Sequence, residues 1–410
     1  MISLRNFRYS RFLTILGLAI LGQGLLLVEL CAKEDPPAKQ DSSIKDAPAP
    51  KKDAKGEKEL TLEEKFKARI AAFREKQKKG ALAVAILTSR SEFFDGSGSI
   101  SGKEGDPAPT SATPFEIGSI TKVFTGILLS EAVERGELRL DEPLGKILPD
   151  WKFPEFDTRQ ITAIDLTTHT SALPPVPLEV TARAIMPWLD PYETYTVDKL
   201  KKDMGTLSIT RPPGASQAYS NLGVGLLGTI LTLKANKERF SDLVKERILD
   251  PWGMKKTVPN IKKLEGRPAA FNAAGLPANA WTFDALGGAG CLASTTDDLL
   301  IFSRKFLDPQ DKKTVLARVM RNWRDLPTNE QATFQTKSIG FGAFQARAKG
   351  RNETIYWHNG GTGGFCSFWA VVPEKKIAVV VLCSVADRKV DRMGIDLLLE
   401  ALKQDGSAGK

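Results

Sequence analysis

The stretch Phe115-Glu-Ile-Gly-Ser-Ile-Thr-Lys-Val-Phe-Thr125 connects an apolar strand end to the helix-like run Val123–Glu134. Within it, Ser119 and Lys122 are three residues apart, a spacing that puts both side chains on one face at the start of a helix. Unpaired backbone N–H groups at a helix start also favour negative charge. A hydroxyl beside an amine that can take its proton, near such N–H donors, is the minimum equipment for a serine acyl-enzyme.

The Ser-x-x-Lys spacing is too short to decide alone, because chance supplies it about once or twice in a chain of this length. A second copy, Ser42-Ser-Ile-Lys45, lies between Lys33 and Glu59, where Lys, Asp, Ala and Pro dominate and large apolar residues are almost absent. Such a composition cannot bury enough apolar surface to fold, so we interpret residues 33–59 as a solvated tether. The Ser42 copy is therefore set aside, and the context of Ser119 has to decide.

The N-terminal residues have the features of an export signal. The uncharged apolar run Phe12–Val28 follows a basic segment that contains Arg5, Arg8 and Arg11. We interpret residues 1–32 as an export signal or an N-terminal membrane anchor, so the expected location is the periplasm or the cell envelope. The residues before Cys31 resemble a lipoprotein processing site, except that bulky Leu30 stands where a small residue is usual. Cleavage, lipidation and retention as a membrane anchor therefore stay open.

The composition limits the number of domains and argues against a nucleic-acid partner and a metal site. The 410 residues are 42% hydrophobic and 26% charged, which is enough apolar material for one large domain or two smaller ones. The formal charge is +9, but the basic residues are interspersed with acidic ones and form no arginine-rich helix, so we expect no nucleic-acid partner. Only His169 and His358 are present and no Cys-x-x-Cys occurs, so we expect no metal site.

Strand-like runs lie at both ends of the foldable part, with helix-like runs between them. The predicted strands are Ala81–Leu87, Glu92–Gly96, Gly342–Ala348, Thr354–His358, Phe365–Val372 and Ile377–Cys383. The predicted helices are Leu60–Lys79, Val123–Glu134, Ile161–His169, Ala218–Leu233, Phe240–Leu249, Leu299–Phe306 and Arg388–Lys403. This order predicts an α/β fold of the α+β type, an antiparallel sheet flanked by helices with a helical part inserted in the sequence. The expected domain is 60–404, with a sheet part at 60–118 and 290–404 and a helical part at 119–289.

Two cysteines lie on successive predicted strands. Pairing Val372 with Ile377 across the turn Pro373-Glu-Lys-Lys376 puts Cys366 directly opposite Cys383. A cross-strand disulfide and two small buried thiols are both consistent with this arrangement, and the residues alone favour the thiols.

A second candidate site element is Pro213-Gly-Ala-Ser-Gln-Ala-Tyr-Ser-Asn-Leu-Gly223, a turn that enters an apolar helix. A nearby lysine ammonium would lower the pKa of the Tyr219 phenol, and the phenol would then be a useful base. Asn221 offers both an acceptor and donors, so it could bridge a lysine and a substrate amide. The alternative is that Tyr219 packs in the core and Asn221 caps the helix.

A third candidate element is Tyr356-Trp-His-Asn-Gly-Gly-Thr-Gly-Gly364, a strand that runs into four glycines. Glycines at a strand edge let a ligand approach the backbone closely. This suits an N–H donor that pairs with the N–H of Ser119 in an oxyanion hole. The alternative is an ordinary turn with His358 as a core residue.

The three elements occur in the order Ser119-x-x-Lys122, Tyr219-x-Asn221 and His358-x-Gly360. This order resembles the serine β-lactamase and penicillin-binding protein family, and especially its class C branch, which includes D-Ala-D-Ala carboxypeptidases and related esterases. Three linking segments also look like family signatures: Leu166–Pro174, Glu246–Met254 and Gly290–Leu299. The resemblance extends from about Leu60 to Leu402 and implies a serine hydrolase with the β-lactamase and DD-peptidase fold.

The resemblance implies a role for each residue of these elements. Ser119 would be the acylated nucleophile, and Lys122 would hold and deprotonate it. Tyr219 would pass protons to the leaving group and activate the water that releases the acyl group. Asn221 would hold the substrate amide, and the backbone N–H groups of Ser119 and Gly361 would form the oxyanion hole. No metal or organic cofactor is implied, and we expect a monomer whose partner is a small-molecule or cell-wall peptide substrate.

The sequence departs from the family pattern at three positions. His358 stands where β-lactamases usually have lysine, Asn359 where threonine is common, and Ala172 where glycine is frequent. The resemblance assigns His358, Asn359, Gly360 and Gly361 to a substrate-binding strand. A neutral imidazole suits a substrate carboxylate less well than lysine does, which favours a peptidase or an esterase over an efficient β-lactamase.

Three functions follow from these observations. The leading one is hydrolysis of a β-lactam or a D-amino-acid peptide through an acyl-enzyme. The alternatives are a carboxylesterase that acts on small acyl esters and a penicillin- or wall-peptide-binding protein without turnover. His169 lies in a motif that is a structural corner in the family, so we expect no catalytic role for it.

Overall fold

The computed structural model describes residues 60–405 except 104, 187–188, 263 and 310–312. The predicted export segment 1–32 and the predicted tether 33–59, with its Ser42 copy of the motif, lie outside the described residues. The described strands are β1 (Ala81–Leu87), β2 (Glu92–Gly98), β3 (Phe115–Glu116), β4 (Glu155–Phe156), β5 (Arg159–Gln160), β6 (Ala293–Ser294), β7 (Arg324–Asp325), β8 (Phe334–Ile339), β9 (Phe344–Ala348), β10 (Ile355–Gly361), β11 (Cys366–Val372) and β12 (Ile377–Cys383).

Eight of these strands form one antiparallel sheet in the order β2-β1-β12-β11-β10-β9-β8-β7. Strands β3 and β6 form a separate short pair, and so do β4 and β5. The N-terminal strand β1 lies between β2 and the last strand β12, so the first and last strands of the described chain are neighbours in the sheet. The predicted fold class, an antiparallel sheet with helices inserted in the sequence, is confirmed.

Most of the described α-helices lie in the segment between β3 and β6. The described α-helices are α1 (Leu62–Lys76), α2 (Thr121–Glu134), α3 (Leu144–Ile147), α4 (Ala163–Thr167), α5 (Leu178–Ala184), α6 (Val197–Met204), α7 (Asn221–Lys234), α8 (Phe240–Val244), α9 (Asp250–Trp252), α10 (Gly287–Gly290), α11 (Thr296–Leu307), α12 (Val315–Met320) and α13 (Lys389–Asp405). No helix in the described residues has the length and apolar character needed to cross a membrane.

Both faces of the central strands are buried, which explains why those strands are apolar at almost every position. In β1 the alanines at 81, 83 and 85 face one apolar cluster, and Leu82, Val84 and Ile86 face another. Helices α1 and α13 cover the second face of the sheet, and α11 packs on the first face together with the helical part. The sheet is therefore the middle layer of the molecule.

Glycines bring helices α7 and α10 unusually close together. A Cβ atom at Gly228 in α7 would lie only 2.8 Å from the Cα atom of Gly288 in α10. This approach directs backbone carbonyl groups of α10 towards α2, where the Thr125 hydroxyl donates to the Gly288 carbonyl at 2.7 Å. The next carbonyl of α10, that of Ala289, reaches the candidate site.

The structure changes several predicted boundaries. Strand β10 continues to Gly361, because its pairing with β11 extends through both glycines. The predicted helix Ile161–His169 shrinks to Ala163–Thr167, since Thr162 forms a capping box with Asp165 and His169 adopts a φ of +58°. Strand β8 is present but is not predicted from the sequence, because polar residues interrupt its apolar pattern. Helices α5, α6 and α12 are also present without being predicted.

The predicted register between the last two strands is confirmed. Cys366 is paired with Cys383, and Val372 with Ile377. Both cysteines are buried thiols in this structure, and burial raises the pKa of the Cys383 thiol to about 12. The structure therefore has the thiol alternative rather than the cross-strand disulfide.

Candidate active site

Ser119 lies on a tight turn between a strand and a helix. The turn Gly118–Ile120 is 3-10 helical and leads directly into α2, so the predicted helix start takes the form of a 3-10 turn. Gly118 has a φ of +46°, and a Cβ atom there would lie 2.7 Å from the backbone N and O atoms of Gly361. Only glycine allows this turn to rest against the end of β10. Ser119 is consequently held beside the glycines of the third element.

Lys122 is fully buried, one turn after Ser119 in α2. Its Nζ atom lies 2.8 Å from Ser119 Oγ, 2.7 Å from Asn221 Oδ1 and 2.7 Å from the Ala289 carbonyl oxygen. A buried amine is tolerated when hydrogen-bond partners replace its water. These three contacts fix the amine beside the hydroxyl group, which is the arrangement needed for proton transfer between them.

Asn221 is the first residue of α7, and the preceding residue, Ser220, determines whether the Asn221 side chain caps the helix or makes other contacts. Ser220 caps the helix, because its hydroxyl accepts the Gly223 N–H at 2.9 Å and donates to the Pro174 carbonyl at 2.7 Å. The alternative in which Asn221 is the cap is therefore wrong. Its Oδ1 atom accepts from Lys122 instead.

Tyr219 is held between the two histidines and close to the lysine. Its ring centre is 4.9 Å from Lys122 Nζ, so the amine faces the aromatic ring. The His169 ring lies 4.3 Å from the Tyr219 ring at an interplanar angle of 30°, and the His358 ring is 6.4 Å away. The phenol is thus positioned by rings on both sides, next to the amine that contacts Ser119.

His169 supports this arrangement from the core. It is buried, and its Nδ1 atom accepts the Ser220 N–H at 3.2 Å. Burial, with the nearby charge of Lys122, keeps the pKa of its imidazole well below the usual value. Within the described residues, no group of three His, Cys, Asp or Glu side chains is placed to hold a metal ion.

His358 is a buried, neutral imidazole. It is 1% exposed, and its Nδ1 atom lies 2.5 Å from the Asn359 carbonyl oxygen, so Nδ1 carries the hydrogen and donates it. Burial and the charges of Lys122 and Arg388 lower its pKa to about 3, although the Asn359 carbonyl acts in the opposite direction. Its Nε2 atom is buried and accepts no hydrogen bond from the described residues. A lysine-like cation is therefore absent from this position.

The other residues of β10 face alternate sides of the strand. A Cβ atom at Gly360 would lie 1.9 Å from the Ile117 carbonyl oxygen, so this glycine is required for contact with the segment that carries Ser119. The Asn359 side chain points towards α13, where its Nδ2 atom donates to Asp391 at 2.7 Å. Gly361 is the residue that contacts Gly118. The predicted substrate-binding strand therefore lies directly against the nucleophile turn.

Arg388 lies at the end of β10, a position that no sequence motif identifies. Its guanidinium lies 3.2 Å from the place that a Cβ atom of Gly361 would occupy, and its side chain is 45% exposed. An Asp391 oxygen is 3.9 Å away. Arg388 precedes the last helix by one residue, and nothing in its local pattern signals a position at the end of β10.

Comparisons with known proteins agree on a family. Residues 66–403 match the family model described as Beta-lactamase. The D-alanyl-D-alanine-carboxypeptidase/endopeptidase AmpH of Escherichia coli (strain K12) is 27% identical over 281 residues, which cover 65% of this chain and 69% of that protein. A Beta-lactamase of the same strain is 25% identical over 341 residues, which cover 76% of this chain and 85% of that protein.

Solved structures with low sequence identity show the same fold. The Beta-lactamase/D-alanine Carboxypeptidase from Yersinia pestis complexed with citrate has a TM-score of 0.70 and 21% identity, and the match covers 83% of this chain and 99% of that one. The octameric penicillin-binding protein homologue from Pyrococcus abyssi has a TM-score of 0.71 and 22% identity, over 83% of this chain and 77% of that one. Since the family model covers most of the chain, this protein belongs to the β-lactamase family of serine hydrolases.

Proposed function

We propose that the protein is an exported serine hydrolase that cleaves the amide bond of a β-lactam or a D-amino-acid peptide through an acyl-enzyme on Ser119. One observation carries this proposal: the buried Lys122 amine lies 2.8 Å from the Ser119 hydroxyl. The curated relatives named as a carboxypeptidase and as a β-lactamase support the class of substrate.

The contacts of Lys122 indicate how the hydroxyl is activated. In the neutral amine, the two N–H groups are satisfied by Asn221 Oδ1 and the Ala289 carbonyl, which leaves the lone pair for the Ser119 hydroxyl hydrogen. Ser119 Oγ then bonds to the substrate carbonyl carbon while its proton moves to Lys122 Nζ. The carbonyl oxygen becomes an oxyanion, which the N–H groups of Ser119 and Gly361 would stabilise.

Release of the leaving group and hydrolysis of the acyl-enzyme need a second group, one that gives a proton to the leaving nitrogen and later takes a proton from water. Tyr219 lies over Lys122, so it would return a proton to the leaving nitrogen as the C–N bond breaks. A water molecule would then attack the ester carbonyl, give its proton to Tyr219, and release the acyl group with regeneration of the Ser119 hydroxyl. Asn221, fixed on Lys122, has an Nδ2 group that would hold the amide of the substrate.

A second candidate function is supported by the state of His358. A buried neutral imidazole at position 358 gives a substrate carboxylate no permanent cation where lysine is usual. A site of this kind favours substrates that do not depend on a carboxylate, such as small acyl esters. Carboxylesterase activity is therefore the second candidate.

Intact-mass spectrometry after mixing with benzylpenicillin or with p-nitrophenyl acetate separates the candidates. A persistent penicillin adduct on Ser119 identifies a peptidase-like site, rapid turnover of the adduct a β-lactamase, and turnover of the ester alone an esterase. An adduct that never turns over with any substrate, wall peptides included, identifies the binding protein without turnover. Ser119→Ala abolishes labelling, and Ser42→Ala, which removes the Ser-x-x-Lys copy within residues 33–59, is the matched control that retains it. Failure of every reagent to label Ser119 would contradict the proposal.

We infer export from the basic and apolar pattern of residues 1–32 together with a substrate class that belongs to the cell wall. Cell fractionation tests the location, with recovery in the envelope or periplasm as the expected result. The mass of the mature N-terminal peptide then distinguishes a cleaved signal, a lipidated Cys31 and an intact anchor. Recovery of the protein in the cytosolic fraction with an intact N-terminus would contradict export.

A further inference from the structure

Three aromatic side chains form a cluster that the proposed mechanism does not use. The Tyr192 ring stacks on the Phe283 ring at 4.4 Å and lies 5.2 Å from the Trp281 ring, and the Trp281 and Phe283 rings are 6.3 Å apart. Tyr192 is buried, whereas Trp281 and Phe283 are partly exposed. The cluster therefore presents two aromatic surfaces to solvent on a buried aromatic base.

These two surfaces border the nucleophile turn. The Phe283 Cζ atom lies 3.3 Å from the place of a Cβ atom on Gly290, and the Gly118 carbonyl carbon lies 3.7 Å from the same place. The Trp281 Nε1 atom lies 2.8 Å from the place of a Cβ atom on Gly363, two residues beyond Gly361. The aromatic pair thus spans the space between the end of α10 and the turn after β10, and Ser119 is adjacent to both.

Two buried carboxyl groups fix the backbone that carries the aromatic pair. Glu116 Oε1 accepts the Trp281 N–H at 2.7 Å. Asp190 Oδ2 accepts the Thr282 N–H at 2.6 Å and the Thr282 hydroxyl at 2.5 Å. Glu116 is only two residues before Gly118, so the same short segment anchors both the aromatic loop and the nucleophile turn. A surface held in this way is preorganised for binding.

We propose that Trp281 and Phe283 form a subsite for a flat apolar group on the acyl part of the substrate. This inference rests on the proposed function, because it assigns the group to the part of the substrate that becomes bonded to Ser119. The leaving group departs towards Tyr219, which packs against His169 and His358. The aromatic pair is next to Gly118 instead, so it faces the portion that stays on the enzyme. Aromatic faces favour other rings in offset or edge contacts.

The test compares p-nitrophenyl phenylacetate with p-nitrophenyl acetate, two esters that share a leaving group and differ in the acyl part. We expect the ratio of their kcat/KM values to fall about tenfold in Trp281→Ala and in Phe283→Ala, the range for loss of an apolar pocket contact. Trp252→Ala is the matched control. Trp252 is also a partly exposed tryptophan in contact with a phenylalanine, Phe302 at 5.8 Å, and its removal should leave the ratio unchanged.

Conservative variants keep the test decisive if an alanine variant does not fold. Trp281→Phe should give an intermediate ratio, and it should abolish the change in tryptophan fluorescence that we expect when a phenylacetyl group is attached to Ser119. An unchanged ratio in variants that are still acylated on Ser119, or an equal loss with both esters, would overturn the subsite. Absence of acylation in the unmodified protein would instead contradict the proposed function, so the two failures are distinguishable.

Discussion

Lys122 is the residue on which the candidate site depends most directly. Its amine is completely buried and has partners from the Gly118–Ile120 turn, α7 and α10. Methionine has a similar volume and needs no hydrogen bonds, so its introduction removes the amine without opening a large cavity. The consequences for activity and for stability should therefore be separable at this position.

We predict that Lys122→Met lowers kcat/KM for an activated ester by about 10³-fold, the usual contribution of a positioned base. The free energy of unfolding should fall by no more than about 3 kcal/mol, because the Ala289 carbonyl and Asn221 Oδ1 lose their donor while the desolvation cost of the buried amine is removed. Ester kinetics and chemical denaturation of the same preparation measure the two quantities. A variant that unfolds easily and also loses activity would indicate a structural role only.

Glu116 gives a pH-dependent prediction. The pKa of this carboxyl group is raised from 4.5 to about 7, chiefly by burial and to a smaller extent by the nearby Asp190, while Thr362, the Trp281 N–H and Arg267 act in the opposite direction. Because the folded pKa lies above the unfolded one, the contribution to stability is complete below the unfolded pKa and is lost as the pH rises to about 7. An uncharged amide in its place should remove this loss.

We therefore predict that Glu116→Gln becomes more stable relative to the unmodified protein by about 2–3 kcal/mol between about pH 5 and about pH 8. Denaturant titrations of both proteins across this range measure the difference. Parallel stability curves, with a constant gap at every pH, would show that folding does not shift the pKa of the Glu116 carboxyl group.

Ala172, which stands where glycine is frequent in the family, has a strained backbone conformation. Its φ is +65°, in the left-handed region that glycine adopts without a steric cost. We predict that Ala172→Gly stabilises the protein by up to about 1 kcal/mol, since relief of the strain exceeds the greater chain entropy of glycine. The control is Ala71→Gly in the exposed part of α1, which should destabilise by about 1 kcal/mol. Thermal unfolding of both variants is sufficient, and destabilisation by both would refute the strain argument.

At the scale of elements, the site depends on how closely α2 approaches the loop between β8 and β9. A Cβ atom at Gly126 in α2 would lie 2.1 Å from the Phe341 carbonyl oxygen, a backbone atom that cannot rotate away. We predict that Gly126→Ala destabilises the protein by about 1–3 kcal/mol and lowers activity by moving α2. Gly145→Ala in α3 is the control, because no atom lies within 4 Å of its Cβ position. Denaturation midpoints should fall for the first variant and stay constant or increase for the second.

Local sequence patterns identify some elements and site residues of this protein and miss others. Strands β1 and β12 are apolar at nearly every position, so their type and bounds follow from the sequence, whereas Gln335, Thr336 and Lys337 conceal β8. Ser119, Lys122, Tyr219 and Asn221 occur in short motifs whose spacing carries chemistry. The Ala289 carbonyl, Arg388 and the Trp281 loop reach the site only through packing of distant segments, so no local pattern identifies them.

For the whole molecule, we propose that the folded unit starts at residue 60. Helix α1 has its own N-terminal cap, since Thr61 and Glu64 form a capping box. Phe66 and Ile70 of α1 are buried beside α13, and Arg69 pairs with Glu400 at 2.6 Å. The first helix and the last helix therefore cover the same face of the sheet.

We predict that removal of residues 1–59 leaves the melting temperature within about 2 °C and ester kcat/KM within about twofold, because the cap residue Thr61 and the core residues Phe66 and Ile70 of α1 all remain. The matched control removes residues 1–79. Loss of α1 would uncover apolar residues of β2 and α13 that lie against it, Phe93 among them, which should cost several kcal/mol, on the order of burying two large apolar side chains. Differential scanning fluorimetry and ester hydrolysis of both truncated proteins provide the comparison. An equal loss of stability in both would show that the folded unit begins before residue 60.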